Sequence, residues 1–237
     1  MRRSSSWPLP VRLRGVLRSP RATFDRLAAA PRWADALAIA FLAAATTTAL
    51  VLETEVGQLA LLDHLERTAT ALGPPIDDAR YAALREISAN GTAYAVVTSL
   101  ISGPVLAVGL SAVLVGVLRP PAGGRVTYHQ VLAVVSHAGV ILALRQVIAA
   151  PLTYARETLA SPLTLSMFFT LLDEASPLSR FAGMVDLFVI WWIVVLAVGV
   201  SVLYRRPVAR VAVTFAGVYL VLAALMALAA AMTGGSA

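Results

Sequence analysis

Residues 183–206 read GMVDLFVIWWIVVLAVGVSVLYRR, and this stretch decides the fold. Between Asp186 and Arg205 no charged side chain interrupts the apolar run. At a rise of about 1.5 Å per residue, its roughly 20 residues cross the hydrocarbon core of a bilayer, which is about 30 Å thick. The stretch therefore predicts a transmembrane helix.

The composition of the whole chain places it in the membrane class. Of its 237 residues, 59% are apolar, which is more than a soluble domain of this size can bury. The chain has no cysteine, and this excludes disulfides, thiolate metal ligands and thiol nucleophiles. Every basic side chain is an arginine, which is typical of a GC-rich bacterial genome. The chain has a net charge of +6, and most of its arginines lie between the apolar runs, as they do in a membrane protein. We therefore expect no nucleic-acid partner.

Five apolar runs are long enough to span a bilayer, and the charges between them set their direction. The predicted spans are residues 34–52, 93–118, 131–150, 183–204 and 211–232. Basic connections alternate with two longer outer connections, residues 53–92 and 151–182, of which the first is acidic. Arginine-rich segments stay in the cytoplasm, which puts the N-terminus inside and the C-terminus outside. We predict an all-α, polytopic protein of the bacterial inner membrane, with a transmembrane domain over residues 34–233.

Residues 1–33 form a basic amphipathic segment on the cytoplasmic side, with Asp25 as the only acid. Ser19 and Pro20 predict the start of a short helix that lies on the inner membrane surface, with Phe24 in its apolar stripe. The following apolar run begins too late and is too long for a signal peptide, although the small residues 43–45 leave a cleavage site as an alternative.

The two outer connections are predicted to be helical. Leucines over residues 59–72 indicate one amphipathic helix, and Asp77 or Asp78 caps a second. In the other connection we expect an interfacial helix over residues 163–172 and another that starts at Ser176-Pro177.

A charged side chain within the third span requires a partner. An arginine at the centre of a membrane helix costs about 2.5–3.5 kcal/mol on insertion scales. Counted by helical rise from the same surface, Arg145 and Asp186 lie at matching depths. We predict an intramembrane pair between these two side chains. In the alternative, Arg145 reaches outward to the headgroups and Asp186 caps its own helix.

Other polar residues of the spans define a candidate polar path, formed by His137, Arg145 and Gln146 beside Pro104. His137 is either a packed, hydrogen-bonded side chain or a proton relay, and a relay needs an acid at its depth, which the spans do not offer. We assign Asp35, in the first turn of the first span, to the dipole of its helix.

The second span carries small residues at helical spacing. Gly103 with Ala107, and Ala112 with Gly116, form two pairs that allow another helix to approach closely. The chain lacks phosphate-binding glycine loops and the HExxH and GxSxG motifs, and His64 has no partner histidine. We therefore expect no catalytic residue, no metal and no cofactor.

Several short motifs, in their order along the chain, resemble the bacterial branch of the Yip-one family of Ypt-interacting membrane proteins. The motifs are SPRATF at residues 19–24, YHQV at 128–131, SHA at 136–138, DLFVIW at 186–191 and LAVG at 196–199. The resemblance extends from about residue 15 to residue 230, and the outer connections diverge. It assigns Asp186, Phe188, Trp191 and Gly199 to the family pattern.

The resemblance implies a five-span helical domain with a cytoplasmic N-terminus and offers no catalytic residue. Eukaryotic relatives act in vesicle traffic and contact Rab-type GTPases, a role that does not transfer to a bacterial cell. The leading hypothesis is a non-enzymatic scaffold or adaptor, whose partners are the lipid bilayer, another membrane protein or a second copy of the chain. The alternative is a small permease, or an accessory subunit of a transporter, that uses the polar path at His137 and Arg145.

Overall fold

The structure is a computed structural model and describes residues 7–72, 76–120, 124–159, 161–169 and 176–232. Helices contain 83% of these residues, which include no strand. The helices are α1 (Leu9–Arg18), α2 (Pro20–Ala29), α3 (Ala34–Leu52), α4 (Glu55–Leu72), α5 (Asp78–Ala89), α6 (Gly91–Val117), α7 (Tyr128–Ala138), α8 (Val140–Arg156), α9 (Pro177–Met184), α10 (Leu187–Tyr204) and α11 (Val208–Met232).

Five helical segments of the described chain are long and apolar enough to cross a membrane, which confirms the predicted number of spans. They are Ala34–Leu52, Gly91–Val117, Tyr128–Arg156, Leu187–Tyr204 and Val208–Ala229. The third, built from α7 and α8, is the most buried, with 56% of its apolar window inside the protein against 17% for the first, second and fifth. This burial explains how the third span can carry polar side chains, because they face protein rather than lipid.

The chain divides into two compact units. Unit 1 comprises Met1–Leu42, Ile101–Ala143 and Trp191–Ala216, and unit 2 comprises Ala43–Leu100, Leu144–Ile190 and Gly217–Ala237.

In unit 1, the N-terminal segment forms a hairpin of two helices that packs on α7. Val16 of α1 and Phe24 of α2 are fully buried, and Leu27 is nearly so. The predicted helix start at Ser19 and Pro20 is confirmed, because α2 begins at Pro20 with Ser19 as its N-cap residue. The segment differs from the prediction in having a second helix, α1, before it. The apolar stripe is covered by protein, and Ser19 separates the two helices by closing α1 onto Gly15.

Two glycines of unit 1 allow side chains of neighbouring helices to approach the backbone. A Cβ at Gly199 of α10 would collide with Val134 of α7, and one at Gly103 of α6 would collide with the ring of Phe41. The absence of a side chain at these positions is what allows the close packing.

In unit 2, α4 packs on α5, and Leu52 and Leu61 form a small core. Asp77 caps α5 by accepting a hydrogen bond from the Arg80 amide at 2.8 Å.

The predicted interfacial helix over residues 163–172 is wrong in its described part, because only Leu165–Phe168 form a 3₁₀ turn. The backbone next to this turn forms hydrogen bonds with the segment that joins α9 to α10. The amide of Leu165 donates to the carbonyl of Val185 at 2.8 Å, and the amide of Leu187 donates to Leu163 at 3.0 Å. Residues 170–172 of the predicted helix lie outside the described residues.

Candidate functional site

Asp186 lies at the junction between α9, which ends at Met184, and α10, which begins at Leu187. Its side chain is buried, and its Oδ1 accepts hydrogen bonds from the amides of Phe188 at 2.8 Å and Val189 at 3.3 Å. These amides belong to the first turn of α10, where backbone donors have no partner within the helix. The membrane helix thus begins at Leu187 rather than at residue 183, because Asp186 caps it.

The other oxygen of the same carboxylate holds Arg145. The Nε of Arg145 donates to Oδ2 of Asp186 at 2.6 Å, and the Ser161 hydroxyl donates to the same oxygen at 2.8 Å. A further contact joins Arg145 to its neighbour Gln146 at 3.4 Å. The two alternatives for Asp186 are therefore compatible, since one oxygen caps α10 and the other pairs with Arg145.

Helix α11 is tied to the same junction through Tyr219. The Asp186 amide donates to the Tyr219 hydroxyl at 2.9 Å, and this hydroxyl donates to the carbonyl of Met184 at 2.9 Å. With four donors on its two oxygens, the carboxylate has used its acceptor capacity. The arrangement fixes helix ends and neutralises a cation within the membrane, and it leaves no acceptor for a substrate proton.

A buried arginine occupies unit 1, where Arg12 of α1 contacts Asp35 and His137. The guanidinium forms an ion pair with the Asp35 carboxylate, and its Nη1 contacts Nε2 of His137 at 3.2 Å. Arg12 is only 4% exposed and His137 is fully buried. This cluster anchors the N-terminal hairpin to the first and third spans.

The hydrogen bonds assign the tautomer of His137. Its Nδ1 lies 2.8 Å from the carbonyl oxygen of Ala133, which can only accept, so Nδ1 carries the proton. The Nε2 atom is then free to accept from Arg12. A proton added at Nε2 would face the guanidinium as a second donor and a second positive charge, so the docked hairpin requires a neutral His137.

Sequence reasoning missed this cluster because it placed Arg12 among the solvated basic residues and Asp35 at a helix dipole. A signal was present in the spacing of Arg12, Gly15 and Val16, which are the buried residues of α1 and share one helical face. An arginine on the buried face of an amphipathic helix indicates a partner within the protein.

The remaining predicted site residues occupy different environments. Of the candidate polar path, His137 and Pro104 belong to unit 1, whereas Arg145 and Gln146 belong to unit 2. Of the family pattern, Gly199 packs on Val134, and Phe188 and Trp191 are partly exposed. Within the described ranges, no group of three or more His, Cys, Asp or Glu side chains is placed to hold a metal ion.

The five apolar helices and the charges matched inside them define a multi-pass helical membrane protein. The family model of the Yip1 domain matches residues 14–231, so the chain belongs to the Yip1 family. This is a family of membrane proteins that is not known for enzymatic activity. No curated protein and no solved structure shows a significant match.

Proposed function

We propose that the protein is a non-enzymatic scaffold or adaptor of the bacterial inner membrane, which acts by helix packing with a lipid or protein partner. The observation that carries this proposal is the small-residue pattern of α6, two pairs on opposite faces of the helix, of which one half is filled and the other half is open.

The filled half contains Gly103 and Ala107. The ring of Phe41 from α3 occupies the space where a side chain of Gly103 would lie, and Ala107 is 8% exposed. In unit 1, this pair of small residues therefore allows a second helix to approach closely, as small residues at this spacing do in membranes.

The open half contains Ala112 and Gly116, one turn apart on the same helix. Both are exposed, and no heavy atom lies within 4 Å of the position that a Cβ of Gly116 would occupy. Since helix association in lipid depends on close packing rather than on hydrophobic burial, an open small-residue pair supports association with a further helix.

The charges of unit 1 support a cytoplasmic N-terminus. Its described residues contain only two acids, Asp25 and Asp35, and Asp35 is already paired with Arg12. The basic connections at residues 119–125 and 205–210 belong to the same unit. This asymmetry is the one that orients membrane proteins with their arginines inside.

Cross-linking in native membranes tests the proposal, because a cysteine introduced into this cysteine-free chain is unique. We expect Gly116→Cys to form a cross-linked adduct with a second membrane protein or a second copy in the presence of a membrane-permeant bis-maleimide. Ala107→Cys, which lies in the filled pair, is the matched control and should remain uncross-linked. Recovery of Gly116→Cys only as a monomer, together with a mild-detergent preparation free of bound protein and lipid, would overturn the proposal.

A further inference from the structure

Two basic connections of unit 1 meet at the ends of spanning helices. Arg119 follows α6, residues 205–207 join α10 to α11, and Arg210 lies in the first turn of α11. The Nη2 of Arg206 donates to the backbone carbonyl of Arg119 at 3.4 Å, and the Tyr204 hydroxyl donates to that of Leu114 at 3.5 Å. These bonds bring four exposed arginines to one region of the surface: Arg119, Arg205, Arg206 and Arg210.

The turn that carries Arg205 and Arg206 is held in place by its own hydrogen bonds. Arg205 has a φ of 50°, a left-handed backbone conformation that residues other than glycine rarely adopt. The Ser201 hydroxyl donates to the Arg206 carbonyl at 2.6 Å, and the Arg206 amide donates back to Ser201 at 3.2 Å. The arginines are thus presented by a defined turn.

None of the four arginines has a carboxylate partner within the part of the chain that the structure describes. The ion pairs there join Arg12 to Asp35, Arg67 to Asp63 and Arg145 to Asp186. Exposed like charges repel one another, with screening by salt, and a bound anion relieves this repulsion. The cluster is therefore complementary to a negatively charged group.

Exposed apolar side chains lie close to the arginines in the sequence, at the end of α6 and the start of α11. Val117, two residues before Arg119, is 72% exposed, and Val213, three residues after Arg210, is 71% exposed. Residues three apart share a helix face, so Arg210 and Val213 form a surface that is cationic at the helix end and apolar further along. An anionic phospholipid has this same order of charge and hydrocarbon, and basic pockets between membrane helices bind such headgroups.

We propose that Arg119, Arg205, Arg206 and Arg210 bind the phosphate of an anionic phospholipid, whose acyl chains lie along Val117 and Val213. The proposal names the lipid partner that the scaffold function allows and in that respect rests on it. It needs no partner helix at Gly116 and is tested on other residues, so the two proposals can fail separately.

The test is a lipid titration of the full chain in detergent, read by native mass spectrometry. The double variant Arg119→Gln/Arg210→Gln keeps the backbone carbonyl that Arg206 contacts. Each arginine near an anionic surface contributes about 1 kcal/mol, so phosphatidylglycerol should bind about 25-fold more weakly, at 1.4 kcal/mol per tenfold. The control Arg14→Gln/Arg18→Gln removes two exposed arginines of α1 in the same unit and should weaken binding no more than about threefold. Phosphatidylcholine should bind both variants and the unmodified chain equally.

Three outcomes would overturn the proposal. One is an equal loss in both double variants, which indicates a general charge effect. Another is unchanged phosphatidylglycerol binding in Arg119→Gln/Arg210→Gln. The third is displacement of the lipid by inorganic pyrophosphate at equal concentration, which indicates a site for a soluble anion. If the double variant does not fold, Arg210→Gln with Arg18→Gln as its control gives the same comparison at about fivefold.

Discussion

Replacing Asp186 with asparagine separates the two roles of this side chain. The new side chain would keep an oxygen for the amides of α10, since asparagine is a good N-cap residue. Its second position would carry an NH₂ group facing the Arg145 Nε and the Ser161 hydroxyl, which donate to Asp186 at 2.6 Å and 2.8 Å. Arg145 would then remain charged within a membrane helix without a counter-charge.

The cost can be estimated from the burial of the pair. Removing one partner of a buried ion pair destabilises a protein by about 3–5 kcal/mol. The side chain of Asp186 is 8% exposed and that of Arg145 is 25% exposed, which places the expected loss at about 3 kcal/mol. Asp186→Ala also removes the cap and should cost about 1 kcal/mol more. In the double variant Arg145→Leu/Asp186→Asn no charge is stranded, so its loss should be smaller than the sum of the two single losses.

The free energy of unfolding can be measured by tryptophan fluorescence during titration of detergent micelles with sodium dodecyl sulfate. The matched control is Asp63→Asn, because Asp63 pairs with Arg67 at 3.0 Å on an exposed helix face. Such a pair contributes about 0.3–0.5 kcal/mol. The reasoning fails if Asp186→Asn costs no more than this control, or if the losses in the double variant are additive.

Three further predictions address the hairpin, the packing and the topology. Arg12→Gln should detach the hairpin and speed amide exchange in α1 and α2, measured by hydrogen-deuterium exchange. The control Arg14→Gln, at an exposed neighbouring position, should not change this exchange. Equal exchange in the two variants would contradict the anchoring role. Gly199→Ala should destabilise the protein by about 1–3 kcal/mol through a collision with Val134, and Gly109→Ala, where no atom lies within 4 Å, should be tolerated; equal unfolding midpoints would refute this. A reporter active only in the cytosol should stay inactive when fused after the last residue, and an active fusion would invert the topology.

The spans could be predicted from sequence because a membrane helix is a local property. Length and apolarity decide whether a segment can cross hydrocarbon, so the five apolar runs correspond to the five segments of the described chain that are long and apolar enough to span a membrane. The start of the fourth span could not be predicted as well. Leu187 replaces residue 183 as its beginning because α9 precedes it and Asp186 caps it. Asp186 is in turn held by contacts with the distant residues Arg145, Ser161 and Tyr219.

Depth in the membrane explains why one arginine contact was predictable and the other was not. For Arg145 and Asp186, each position along a spanning helix fixes a depth, so two side chains 41 residues apart could be compared on one coordinate. Arg12 precedes the first span, where no such coordinate exists. Its contact with His137, 125 residues away, depends on how the hairpin docks, and hydropathy carries no information about docking.

The arginines of this chain differ in which groups neutralise their positive charge, and that difference indicates their roles. Arg145 has a carboxylate and Arg12 has a carboxylate and a histidine, so the balance lies within the fold, and both side chains hold helices together. Arg119 and the three arginines near it are brought together by side-chain hydrogen bonds to backbone carbonyls, with no balancing acid in the described chain. Like charges at helix ends beside exposed valines are complementary to an anion that carries hydrocarbon, which is why an anionic phospholipid is the ligand proposed for these arginines.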